Sequence, residues 1–159
     1  MSRFAEKTSV SSESSRLEIE RDLRRYGASG FMYGWNESGA VVAFQMLERH
    51  VKFILPLPDP NDKVFRLTPA RGTVRSPKQQ EEAYEQAVRQ RWRALALVIK
   101  AKLEAVSSGI TCFEDEFMAH IVMPDGKTVG EHVKPGIVSA YASGKMPALL
   151  PDLTGEKRG

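Results

Sequence analysis

A chain of 159 residues with a net charge of +3 and a pI near 9.1 is the size of one domain and can bury a core without metals or disulfides. Its single cysteine, Cys112, excludes an internal disulfide and predicts a small buried thiol in a reducing compartment. The amino terminus has no apolar run of signal-peptide length and no stretch is long and apolar enough to span a bilayer, so a cytoplasmic, membrane-free protein is expected, and the mild basicity does not by itself argue for nucleic-acid binding.

Residues 1–12 are polar and serine-rich and predict a flexible segment, with a helix starting near Glu13. Ile19, Leu23 and Tyr26 give that helix an inward stripe, Arg16, Arg21, Arg24 and Arg25 an outer face, and Gly27 an end. Phe31, Tyr33 and Trp35 alternate along a first strand, and Asn36-Glu37-Ser38-Gly39 suits a hairpin loop. Val42, Phe44 and Met46 mark a second strand, and a turn near Glu48-Arg49 leads to a third, on which Val51, Phe53 and Leu55 alternate with Lys52 and Ile54. Links this short require an antiparallel three-stranded meander.

Pro56, Pro58 and Pro60 stop the sheet. Residues 59–75 then read as a long basic loop carrying Lys63, Arg66, Arg71 and Arg75, a length at which a structureless segment is usually functional or mobile. Ser76-Pro77-Lys78-Gln79 is a helix start signal. From there Tyr84, Val88, Trp92, Leu95, Ile99, Leu103 and Val106 recur at steps of three and four until Gly109, predicting one helix of about 45 Å that covers the sheet. Ala94 to Ile99 is apolar all round, which predicts cover on more than one side.

Thr111-Cys112-Phe113-Glu114 reads as a capping box opening a short helix with Phe113 and Phe117 inward. A small hairpin turning at Pro124-Asp125-Gly126-Lys127 follows, then a capping box at Thr128 to Glu131, a break at Pro135, and a last helix through Ile137, Val138 and Tyr141 ending at Gly144. Met146 to Leu153 predicts an apolar tail lying on the body or on a partner. The expectation is one α+β domain over residues 1–150, a three-stranded antiparallel meander packed on one long helix with a small helical C-terminal part, and a disordered tail at 151–159.

No phosphate loop or nucleophile elbow is present. Glu116 and His120 stand four apart, with Glu131 and His132 within reach across a turn, but zinc sites need three or four ligands at recognisable spacings, so a surface cluster is expected instead. Asp59 and Asp62 suggest a nuclease carboxylate pair without the Glu-x-Lys that should follow, and Cys112 with His120 or His132 lacks an orienting third group. Neither catalytic residues nor a metal nor a cofactor is assigned. A non-enzymatic polyanion binder is the alternative. Lys63, Arg66, Arg71, Arg75, Lys78, Arg89 and Arg93 would hold phosphates while Tyr33 and Trp35, with Phe31, would either stack on bases or form core against the long helix.

Arg91 to Val106 and Phe113 to Glu131, with Arg25-Tyr26-Gly27-Ala28 and Leu55-Pro56-Leu57-Pro58-Asp59, resemble a family of small, uncharacterised phage and prophage proteins. That resemblance carries no catalytic residues. It implies a phage-encoded protein of the host cytoplasm, in the replication or recombination region. The order of helix, antiparallel meander and long helix is also loosely similar to phage single-strand annealing proteins, a fold-level analogy. Three functions follow as expectations: a single-stranded DNA-binding accessory protein, a protein-binding inhibitor or adaptor of a host factor such as an anti-phage defence system, and a metal-dependent nuclease. A homo-oligomer built along sheet edges is compatible with each.

Overall fold

The computed structural model describes residues 3–36 and 39–150, with side chains from Ser12 onward. The hairpin residues Glu37 and Ser38, and the tail expected to be disordered at 151–159, lie outside the described residues.

The meander is present as expected. Strands β1 (Ser29–Trp35), β2 (Gly39–Met46) and β3 (Arg49–Pro56) form an antiparallel sheet in the order β1-β2-β3. Tyr33 opposes Val42, which opposes Phe53, and Phe31 opposes Phe44, which opposes Val51. One face therefore carries Val42, Phe44, Val51, Phe53 and Leu55, all buried. The other face carries Met32 and Ile54, both exposed, and turns to solvent, as one face of an antiparallel sheet can.

Two helices cover the apolar face. α1 (Arg3–Arg25) and α3 (Pro77–Ser107) pack along each other. They run in the same direction, since Ser12 and Trp92 both meet Tyr33 while the Tyr26 hydroxyl donates to the Glu104 carboxylate at their far ends. Ile19 and Leu23 of α1 and Tyr84, Val88, Trp92, Leu95, Ile99 and Leu103 of α3 are the buried stripes expected from spacing. Each fully buried apolar side chain there contributes about 1.5–3 kcal/mol. The start of α3 is fixed by a capping box in which the Gln79 N–H donates to Ser76 Oγ at 3.2 Å and the Ser76 N–H to Gln79 Oε1 at 3.0 Å. Its end is closed by Gly109 at φ 79°, with the Ile110 N–H reaching back to the Ala105 carbonyl.

The C-terminal part comprises α4 (Phe113–Phe117), a 3₁₀ turn at Met118–His120, and α5 (Val129–Ser143). Phe113 and Phe117 point into the core as expected, Phe117 meeting Phe44 and Phe53 edge-on. The expected hairpin exists as a bridge between Val122 and Thr128, and a second bridge from Ile121 to Val51 attaches it to the edge of β3.

Several expectations are corrected. α1 begins at Arg3, well before Glu13, because no Gly or Pro between them interrupts it. The tight turn after β2 is Leu47-Glu48, both at positive φ, one residue earlier than expected. The apolar middle of α3 is covered on one side only: Leu97 is 55% and Val98 45% exposed, so it presents a bare flank to solvent. Cys112 is exposed, because it occupies the N-cap position of α4 outside the core, and the Thr111 capping box does not form since the helix starts one residue later. Pro135 does not break α5. It sits near the middle of the helix on an exposed position, where one backbone hydrogen bond is lost and the ring meets solvent. The described part of the apolar tail, by contrast, lies on the body as one of the two expected placements has it, since a Cβ on Gly136 of α5 would meet Leu149 at 2.8 Å.

The segment 59–75 is not structureless. Asp62 caps a one-turn helix α2 (Lys63–Arg66) by accepting from the Val64 N–H at 3.0 Å, and Asp59 accepts from the Asn61 N–H at 2.9 Å. Phe65 is buried edge-on against Tyr84 and ties the segment to α3. Leu67 then bridges Val74, with the Thr68 and Thr73 hydroxyls 2.8 Å apart.

Candidate nucleic-acid interface

The basic segment is a short, well-tied projection. From Lys63 through Gln80 the chain contains no Asp or Glu and five Lys or Arg: Lys63, Arg66, Arg71, Arg75 and Lys78. α2 carries Lys63 and Arg66, the turn closed by Gly72 carries Arg71, and the first turn of α3 carries Lys78. The Leu67–Val74 bridge sets Arg66 directly opposite Arg75, whose backbone N–H donates to the Arg66 carbonyl at 2.8 Å. Two of the five cations thus leave the backbone side by side. Among the described residues none of the five forms an ion pair, and Arg75 alone spends a donor internally, on the Val64 carbonyl at 3.5 Å. The positive field is local, since Glu81, Glu82 and Glu85 follow on α3.

The remaining expected contacts divide. At 100° per residue Arg89 and Arg93 fall on the flank of α3 opposite Ala87 and Ala94, which border α2. The expected phosphate contacts thus lie on two surfaces, and Arg89 donates to Gln86 at 2.7 Å. Tyr33 and Trp35 lie on the helix-covered face of the sheet and are half-buried. Their rings stack at 5.3 Å, Tyr33 meets Trp92 edge-on at 5.3 Å, and the Arg16 guanidinium sits 4.2 Å above the Tyr33 ring. Tyr33 is thus held between Trp35, Trp92 and Arg16, and Trp35 has one ring face against Tyr33.

No protein-family model, curated protein or solved structure matches this chain.

The candidate metal ligands are each engaged elsewhere. Glu116 pairs with Lys102 at 3.0 Å, His120 stacks on Phe53 with ring centroids 4.0 Å apart, and His132 lies 2.7 Å from Asp125. Among the described residues no three His, Cys, Asp or Glu side chains converge as a metal site, and no helix is long and apolar enough to cross a membrane. Burial, then the Lys102 charge, hold the His120 pKa below the ordinary histidine value, and the His132 contact holds Asp125 below the ordinary carboxylate range. The acidic helix around Glu114 to Glu116 is partly neutralised, since Glu114 pairs with Arg49 at 3.4 Å.

Two features had no signal in the sequence. Arg91, adjacent to Trp92, reaches back to the Pro56 carbonyl at 3.4 Å and so sits beside α2, away from Arg89 and Arg93. α5 has no fully buried residue: Val138 is 72% and Tyr141 90% exposed, so the apolar run that suggested a packed helix leaves that flank bare.

Proposed function

We propose that the protein is a non-enzymatic binder of single-stranded DNA, a phage accessory protein of replication or recombination, which grips the strand through Lys63, Arg66, Arg71, Arg75 and Lys78. The observation that carries this reading is that Arg66 and Arg75 adjoin through a backbone hydrogen bond within a stretch, Lys63 to Gln80, that has no carboxylate of its own, so their charges are left for a phosphate to neutralise. The mechanism is neutralisation of backbone charge with release of condensed counterions, so affinity falls steeply with added salt. A short projection of this kind follows a flexible single strand more readily than it matches the fixed phosphate spacing of a duplex. Fluorescence anisotropy with labelled single and double strands across a salt series tests the reading: single-strand binding that weakens with salt supports it, and no binding at low salt ends it.

A second reading is favoured by the bare flank of α5. Ile137, Val138 and Tyr141 of α5, with Met146 beyond it, form an exposed apolar strip that suits a protein partner, as an adaptor or inhibitor of a host factor would require. Substituting Val138→Asp and Tyr141→Asp removes a copurifying partner on this reading and leaves strand binding unchanged.

A further inference from the structure

Beside the basic projection, between α2 and α3, lies a cleft of about 560 Å³. Its floor is apolar and shallow because Ala87 and Ala94, two turns apart on one side of α3, leave space over the buried Phe65 ring. Its rim is polar and of mixed character: Asp59 and Asp62 from the α2 side, Gln90 and Arg91 from α3. A cleft with an apolar floor and a few convergent polar groups at its rim is the usual form of a small-ligand site, and its volume lies in the range such sites occupy.

We propose that this cleft receives one unstacked nucleobase of the bound strand, and that it selects bases bearing an exocyclic amino group over thymine. The inference rests on the single-strand reading above, and it adds to that reading a base preference.

Placement comes first. Asp62 caps the helix that carries Lys63 and Arg66, so a strand whose phosphates sit on those cations passes the mouth of the cleft. A base can rotate from a single strand at the cost of lost stacking alone, and that cost is smallest where no duplex has to open. The floor suits a flat ring. The Arg91 guanidinium, anchored by the Pro56 carbonyl, is planar and offers a face for stacking.

Selectivity follows from the carboxylates. Each already accepts one backbone N–H through Oδ1, from Asn61 at Asp59 and from Val64 at Asp62, which fixes its orientation. The second oxygen of each has no protein partner among the described residues. An ionised carboxylate accepts and cannot donate. Cytosine N4, adenine N6 and guanine N2 supply the N–H groups it needs, whereas thymine offers one ring N–H flanked by two carbonyl oxygens that repel it. Gln90 provides a donor for the acceptor atoms next to those amino groups.

The experiment compares oligo(dC), oligo(dT) and an abasic strand of equal length by anisotropy at fixed salt and mildly alkaline pH. The full-length chain is set beside an Asp59→Asn, Asp62→Asn variant and, separately, an Ala94→Leu variant. Asparagine keeps the Oδ1 acceptor for both backbone N–H groups and is itself a good cap, so the fold is retained. The wild type is expected to bind oligo(dC) about tenfold more tightly than oligo(dT). In the double variant that ratio falls to near one, whatever the shared gain from removing two negative charges. Ala94→Leu fills the floor and brings oligo(dC) down to the abasic strand. Equal binding of the two strands by the wild type, or a preference that survives both variants, overturns the base cleft while leaving the strand reading intact. Absence of binding to every strand overturns both.

Discussion

Arg66 and Arg75 face one another across the Leu67–Val74 bridge, with the Arg75 N–H on the Arg66 carbonyl at 2.8 Å and no carboxylate between Lys63 and Gln80 to separate their charges. Replacing Arg66 by Glu puts a carboxylate into a stretch that has only cations and removes one of its unneutralised charges. The expected result is a gain in stability of about 0.2–1 kcal/mol in urea unfolding together with a loss of strand affinity. A protein that loses both would place Arg66 in a structural role instead.

A strained turn needs no ligand. Leu47 and Glu48 join β2 to β3 with φ of 48° and 60°, the left-handed conformation that a two-residue hairpin turn requires and that Asn-Gly adopts most readily. Leu47→Asn with Glu48→Gly should raise the unfolding free energy by about 1 kcal/mol, read as a shift in the denaturation midpoint at constant slope. Both residues are exposed, so no packing is lost.

Trp92 tests the core where the sheet meets both helices. It is fully buried, meets Tyr33 edge-on, and its indole Nε1–H is a buried donor with no partner among the described residues. Trp92→Ala should cost about 3–5 kcal/mol, and Trp92→Phe less than about 2, because the smaller ring removes the unpaired N–H as well as some packing. Equal losses in the two variants would contradict this account of the indole.

Much of this architecture was legible because it is periodic. Tyr84, Val88, Trp92 and Ile99 repeat with the helix, and Val42, Phe44, Val51 and Phe53 alternate with the strand, so spacing alone located the buried faces. Residues 59–75 were not legible, because α2 is one turn and the Leu67–Val74 bridge a single pair, too short for any period to show. The split between Arg89 with Arg93 and the α2 cations follows from helix rotation, but only once Phe65 shows which flank α2 takes. The inward aromatic face was readable as an alternating stripe, yet spacing could not say that Arg16 would close over Tyr33. The exposure of Val138 and Tyr141 had no local signature, since an apolar helix looks the same whether its partner is its own body or another molecule.

His120 gives the fold a pH dependence with a definite sign. It stacks on Phe53, and burial with the nearby Lys102 charge lowers its folded pKa below 6.5. Folded protein therefore binds fewer protons than unfolded protein in that window. Stability is full above about pH 6.5 and declines as pH falls from there to the folded pKa. His120→Phe keeps a ring on Phe53 and should flatten that decline, seen by comparing urea midpoints of variant and wild type between about pH 7 and pH 5. An identical decline in both proteins would assign it to other groups.

On the proposed single-strand reading, the cations of residues 63–78, and not those on the far flank of α3, hold the strand. The direct measurement is the slope of log affinity against log salt for wild type, for Arg66→Ala with Arg71→Ala, and for Arg89→Ala with Arg93→Ala. Each cation that neutralises a phosphate on a single strand accounts for about 0.7 of that slope, so the account predicts a slope shallower by about one unit or slightly more for the first variant and no change for the second. An unchanged slope in the first variant, or the larger decrease in the second, would contradict it.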